Sequence, residues 1–229
     1  MRYNYSMKNR AFAFILLFFC AAFPLYSQNF LSKVTWFANG SLLFFTENNG
    51  LHSAPMQVQP SFGAGASYPV KDIFKAELTL DFYTALYGYR SELERAVSAS
   101  VEHRTARVFS SLLGMQAGKD FTAGNVTFRG YGGLAADLRL VLPAKHLKSS
   151  ADTMDDIQDE VGKVRSYLWS NGRWLLPLIG VGLDYAPNSQ LKIGFDTRLW
   201  FPLYKLWSDE DLPAAEGWRF GTGIRLTIR

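Results

Sequence analysis

The chain has 229 residues, 48% of them hydrophobic and 15% aromatic, with 24 basic side chains against 20 acidic ones. Three of the basic residues, Arg2, Lys8 and Arg10, stand in the first 27 positions; without them the balance is 21 against 20, which leaves no electrostatic case for nucleic acid. The single cysteine excludes a disulfide framework, and the length remaining past residue 27 is one domain's worth.

The first 27 residues read as a secretory signal. A positive start is followed by an apolar run, Ala11 to Phe23, then Pro24 and the small residue Ser27 as a cleavage point. The run is shorter than the roughly 20 apolar residues of a spanning helix. Phe19 precedes Cys20, where a lipoprotein would carry a small residue, and Cys20 leaves with the signal. Residues 28–229 are then expected to form a single cysteine-free domain. Its longest later apolar stretch, Trp174 to Leu183, is too short for a membrane helix and is interrupted by Pro177 and glycines.

Beyond the signal the chain keeps a period of two, the mark of strands. Val34, Trp36, Ala38, Gly40, Leu42 and Phe44 give a first strand, with Phe37 and Leu43 breaking its polar face. Thr46 to Pro55 is turn-rich around Asn48-Asn49-Gly50. Val58 to Tyr68 is the second strand, where Pro60 suggests a bulge or a strand start. After a short turn at Pro69 to Phe74 comes the clearest strand: Leu78, Leu80 and Phe82 alternate with Glu77, Thr79, Asp81 and Tyr83, as far as Tyr87. Gly88 to Thr105 is expected as a loop, with Ser91-x-x-Glu94 as a capping box for one or two helical turns. Arg107 to Lys119 is the fourth strand and Asp120 to Gly124 its turn. In the fifth, Val126, Phe128, Leu134, Ala136, Leu138 and Leu140 oppose Thr127, Arg129, Tyr131, Asp137 and Arg139.

Pro143 to Arg173 is the longest interruption. Met154, Ile157, Val161, Val164 and Leu168 recur at helical spacing within it. Acids come early, and Lys163 and Arg165 late, as a helix dipole favours. This predicts an amphipathic helix over Asp152 to Arg165, either lying as a lid on a rim or offering a surface contact. Leu175 to Tyr185 is the sixth strand and Pro187-Asn188-Ser189 a tight turn. The last two strands, Leu191 to Phe201 and Trp218 to Ile228, share one odd feature. Their polar faces mix glycine with full charges: Lys192, Gly194, Asp196 and Arg198, then Arg219, Gly221, Gly223 and Arg225.

The links decide what such a sheet is. After strands two, four and six they are short; after one, three, five and seven they are long. A sandwich has no reason to alternate so strictly, whereas an outer-membrane barrel does, with short periplasmic turns and longer outer loops. The strand count is even, and both ends fall on the short-turn side. A one-residue slip of the last strand would turn Arg219 and Arg225 outward. At about 2–4 kcal/mol for each midplane arginine, the charged face of a membrane barrel must point inward.

On these strands and links, Val34 to Arg229 resembles the small eight-stranded outer-membrane barrels, the family of the OmpA membrane domain, OmpX and OmpW. The signal and loops also resemble those of small barrels from spirochaetes. The resemblance is architectural. It implies an all-β, antiparallel, up-and-down transmembrane barrel with long outer loops and one loop helix. It also implies contact with outer-membrane lipid and insertion by the barrel-assembly machinery. Such barrels usually end in an aromatic residue, and this chain ends Ile228-Arg229.

An eight-stranded barrel is just wide enough inside for side chains. The inward face would hold Glu77, Asp81, Asp137, Asp184 and Asp196 with Arg129, Arg139, Lys192, Arg198, Arg219 and Arg225. Confined charges must pair, so these are expected to form a structural ionic network in the lumen; a narrow solute path is the alternative. An OmpW-like conduit would want a greasier lumen, which only strands one, four and six offer. His52, His103 and His146 fall in or beside outer loops and form no triad, and no metal, phosphate-loop or cofactor motif is present. Tyr87, Tyr167, Trp169, Trp174, Tyr204, Trp207 and Trp218 would make an outer aromatic girdle. Four functions remain in view. The first is a non-enzymatic barrel with a structural or surface-interaction role, meeting a host or envelope partner through its outer loops. The others are a small-molecule conduit, a lipid-modifying barrel enzyme and a soluble exported β-barrel.

Overall fold

In a computed structural model, residues 32–46, 58–71, 74–100, 104–144, 154–208 and 216–228 are described. The signal-like segment, the Asn48-Asn49-Gly50 turn, all three histidines, Asp152 and Arg229 lie outside them. Contacts divide the chain into two units, Met1–Val34 and Thr35–Arg229, and the second carries every strand found among the described residues.

Among the described residues there are nine strands: β1 Thr35–Thr46, β2 Val58–Lys71, β3 Phe74–Arg90, β4 Arg95–Ser98, β5 Ala106–Ala123, β6 Val126–Pro143, β7 Leu175–Tyr185, β8 Leu191–Trp200 and β9 Trp218–Ile228, and all but β4 are the eight expected from the alternation. Eight of them close on themselves. In space the order runs β1, β2, β3, β5, β6, β7, β8, β9 and back to β1, every pair antiparallel. Closure rests on β1 and β9, paired from Trp36 with Ile228 to Thr46 with Trp218. A closed ladder leaves no barrel strand with an unpaired edge.

The solvation of this barrel is inverted. Glu77, Arg129 and Arg225 point inward and are 7%, 4% and 3% exposed, while Leu80, Phe128 and Ile224 on the outer face are 38%, 47% and 58% exposed. The alternation therefore sends apolar side chains outward and ions inward along the same strands. Phe37 and Leu43, which broke the polar face of β1, are buried inside.

The wall is uneven. β3, β5 and β6 have 17, 18 and 18 residues, while β7, β8 and β9 have 11, 10 and 11. About 9–11 tilted residues cross a hydrocarbon core, so one side stands well above the other at the long-loop end. Helix α1, Met154–Trp169, packs against this taller side through β3, β4 and β6. Val161, Val164 and Leu168 of its apolar stripe join one cluster with Tyr83, Tyr87, Ala96, Val108 and Val141.

Several expectations need correction. The Gly88–Thr105 loop contains β4, which pairs with an extension of β3 from Tyr87 to Arg90 and is buried throughout. The Ser91–Glu94 capping box does not form: Ser91–Leu93 is one 3-10 turn without a side-chain cap, and Glu94 is left-handed. It is the tip of a hairpin, where the chain must reverse. The Asp120–Gly124 turn shrinks to Gly124-Asn125, because β5 and β6 stay paired to Ala123 and Val126. Gly124 takes φ +59° there, at a position that two-residue hairpins give to glycine. The helix runs on to Trp169, past the Arg165 at which the charge pattern ended it, while its expected start at Asp152 lies outside the described residues. Pro60 is no break: it sits in β2 beyond the last β2–β3 pair, where only β1 needs a partner.

Candidate functional site

The barrel interior holds its charges in tiers. At the short-turn end, Arg225 meets Glu77 through two parallel bonds, Nη1 to Oε2 at 2.9 Å and Nη2 to Oε1 at 2.7 Å. This fork-to-fork geometry is the strong form of an ion pair. Gln116 donates to the same carboxylate at 2.9 Å, and Phe37 lies against the guanidinium at 3.5 Å. Beside it, Arg129 faces Asp184 at 2.8 Å and Asp196 at 3.8 Å. Arg198 bridges Asp81 at 2.7 Å and Asp196 at 3.3 Å. Asn39 donates to Asp81 and the Tyr131 hydroxyl to Asp196. Lys192 is buried at the same end. Lys75 and Asp120 pair nearer the turns.

Glycine makes room for these side chains. Gly63 stands opposite Asp81, Gly182 opposite Arg129 and Asp196, and Gly194 opposite Asp184 and Arg225. A Cβ on Gly63, Gly182 or Gly194 would run into Asp81, Arg129 or Asp184. The charge-with-glycine pattern of the last strands is thus a packing rule. At these positions the charged side chain fits because the facing residue has none.

A second tier lies further along the axis. Asp137, fully buried, accepts from Arg219 at 2.6 Å, Arg139 at 2.7 Å and the Tyr83 hydroxyl at 2.8 Å. The buried apolar cluster of the interior includes Leu43, Phe45, Val108, Leu112, Leu176, Leu178 and Trp200. Most come from β1, β5 and β7, the three strands whose inward faces read as greasy.

The third tier belongs to the mouth. Arg139 donates to the Leu168 carbonyl at 3.2 Å and Arg173 to the Tyr167 carbonyl at 3.4 Å, so two arginines meet the carboxyl end of α1. That end carries unsatisfied carbonyls and partial negative charge. Arg173 is stacked between Tyr167 at 3.9 Å and Tyr204 at 4.7 Å. Arg95 of β4 faces Glu216 at 3.7 Å. Burial lowers the pKa of the Lys205 amine in the neighbouring link, and Glu216 opposes that shift. A cavity of about 30 Å³ lies among Arg139, Arg173, Arg219, Glu216, Tyr87 and Tyr204.

All eleven charged residues read from the sequence as lumenal are buried, and the bonds above join ten of them into groups. The sequence did not reveal Arg95, Arg173 and Glu216, which lie in links where no alternation tells inside from outside. Tyr83 shares parity with Asp81 and could have been found. The girdle is smaller than expected: Tyr87 and Tyr204 are buried inside, whereas Trp169, Trp207 and Trp218 are exposed. Among the described residues no group of His, Asp or Glu is placed to hold a metal ion.

No protein-family model matches this chain, and no curated protein matches it. Solved structures similar to it include Neisserial surface protein A, at 12% identity and TM-score 0.49, covering 86% of this chain and 96% of that one. The outer membrane protein OprG from Pseudomonas aeruginosa is similar at 8% identity and TM-score 0.48, over 85% and 96%. Ail, the attachment invasion locus protein of Yersinia pestis, is similar at 10% identity and TM-score 0.43, over 85% and 95%.

Proposed function

We propose that this chain is an integral outer-membrane barrel that is closed to solutes, with a structural or surface-interaction role and no enzymatic one. The observation that carries this reading is the inverted solvation of a closed barrel, with Ile224, Phe128 and Leu80 outside and Arg225, Arg129 and Glu77 inside. Water has no use for that exterior, and lipid does. The eleven lumenal charges act as a structural network that braces the wall. Arg129, Arg139, Lys192, Arg198, Arg219 and Arg225 neutralise Glu77, Asp81, Asp137, Asp184 and Asp196. Residues 1–27 serve as the export signal, residues 28–229 as the barrel domain, and the assembly machinery inserts it with its short turns in the periplasm.

Helix α1 and the β3–β4 hairpin then lie on the outer side. Between them runs an open groove of about 600 Å³, lined by Tyr89, Glu94, Asp159, Lys163, Arg165 and Tyr167 among others. It is the surface best shaped for a host or envelope partner. Two measurements test the proposal on the mature chain in detergent. Folded protein should migrate differently on a gel before and after heating, and it should give no steady current in a planar bilayer. Solubility without detergent would point to an exported soluble barrel, and a stable single-channel current to a conduit.

A further inference from the structure

Helix α1 carries a glycine that its own packing does not require. Gly162 lies near the middle of Met154–Trp169, where glycine is less favourable than any residue but proline. In the lumen, Gly63, Gly182 and Gly194 make room for neighbouring side chains. Gly162 does not: among the described residues a Cβ there meets nothing within 4 Å. It opens instead onto the groove between α1 and the β3–β4 hairpin. A glycine facing open space lets a molecule from outside the chain approach the helix backbone closely.

Both walls of the groove are fixed in advance. Val161, Val164 and Leu168 seat the helix in the buried cluster, Thr105 donates to Glu160 at 2.9 Å, and the facing wall is a paired hairpin. The chemistry of the lining narrows the occupant. Among its described residues none is aliphatic, whereas a lipid tail or a peptide anchor needs an apolar pocket. Glu94 and Asp159 balance Lys163 and Arg165, so the lining has no net charge to attract a polyanion. Asp159 and Lys163 pair at 2.7 Å, and the ammonium lies 5.9 Å from the centre of the Tyr89 ring. Tyr89 and Tyr167 supply aromatic surface, and Gln158 an exposed amide that both donates and accepts. A sugar presents the matching pair of features, C–H faces that lie on a ring and hydroxyls that donate and accept. We propose that this groove binds a neutral oligosaccharide, which passes close over Gly162. Its volume of about 600 Å³ lies within the roughly 300–1,000 Å³ of ligand sites. The inference rests on the reading of this groove as the surface that meets a partner.

The test applies the mature chain, folded in detergent, to an array of short neutral oligosaccharides, with sulfated and sialylated glycans and peptides alongside. Host-type glycans and bacterial surface polysaccharides form separate arms; binding in either supports the site and names its source. Gly162→Ala should weaken that binding about tenfold or more, the effect of one added methyl in a fitted site. It should not lower the midpoint of thermal unfolding, because alanine favours the helix. Gln158→Ala combined with Arg165→Ala, both at exposed positions, should also weaken binding and keep the gel shift on heating. Binding that Gly162→Ala leaves unchanged overturns the proposal, as does binding confined to anionic glycans or to peptides. A chain that shows the gel shift but binds no neutral glycan overturns it too, and leaves the barrel reading intact. Solubility without detergent removes the membrane reading, and the array then tests the groove in the same way.

Discussion

Arg129 and Gly182 face each other across β6 and β7, and the guanidinium occupies the volume where a side chain at 182 would begin. Gly182→Ala should therefore push Arg129 off Asp184 and lower stability by about 1–3 kcal/mol, the usual cost of overpacking. Gly130 is the control. It is the next residue along β6, on the opposite face, and a Cβ there meets nothing within 4 Å, so Gly130→Ala should be near neutral. Urea titration of the heat-modifiable form compares the two. The Glu77–Arg225 pair gives a second expectation at this scale. Glu77→Ala leaves Arg225 buried beside Phe37 without its carboxylate and should cost about 3–5 kcal/mol. Adding Arg225→Leu should restore much of that loss, since no charge is then left unmatched. If the double variant is as unstable as the sum of the singles, the two side chains do not act as a pair.

Among the elements, α1 is the one the barrel can lose. The eight strands close through their own hydrogen bonds, and α1 adds packing at one end only. Val164 is fully buried between helix and wall, so Val164→Asp should unseat the helix at a cost of several kcal/mol. Replacing 154–169 with a Gly/Ser linker should still give a folded, heat-modifiable barrel of lower stability. The replacement should not conduct, because the paired tier around Arg129, Arg198 and Arg225 fills the other end. A steady current from that variant would show that α1 alone keeps the lumen shut. The elements also mark how far the sequence could be read. Strands whose one face meets a different solvent from the other announce themselves by alternation, and all eight barrel strands do so. β4 does not: Arg95, Ala96, Val97 and Ser98 are all buried, so no face differs from its opposite and no period appears. Tyr87, by contrast, shares the parity of Asp81 and Tyr83 and could have been read as inward. Tyr204 lies in the 3-10 turn Leu203–Leu206 between β8 and β9, where no alternation tells inside from outside. The ionic residues were legible one by one, but their grouping was not, since parity tells which side a residue faces and not which neighbour it meets.

For the molecule as a whole, the question is which solvent the outer surface was built for. Ile224 lies at the middle of β9 on that surface, and Ile228 on the same face near the strand end. If lipid surrounds the barrel, an arginine at the first position sits near the midplane and one at the second near the periplasmic interface. Ile224→Arg should then cost about 2–4 kcal/mol and Ile228→Arg about 0–1 kcal/mol. If water surrounds it, both are exposed surface substitutions and should stay within about 0.5 kcal/mol of neutral. The contrast between the two sites is more telling than either value. General damage to β9 would weaken both variants alike, whereas a bilayer ranks them by depth. Reversible folding of each variant into vesicles, followed by tryptophan fluorescence, measures that difference directly. Equal costs at the two positions would remove the physical basis for placing this barrel in a membrane, because nothing else on its exterior changes from one position to the other.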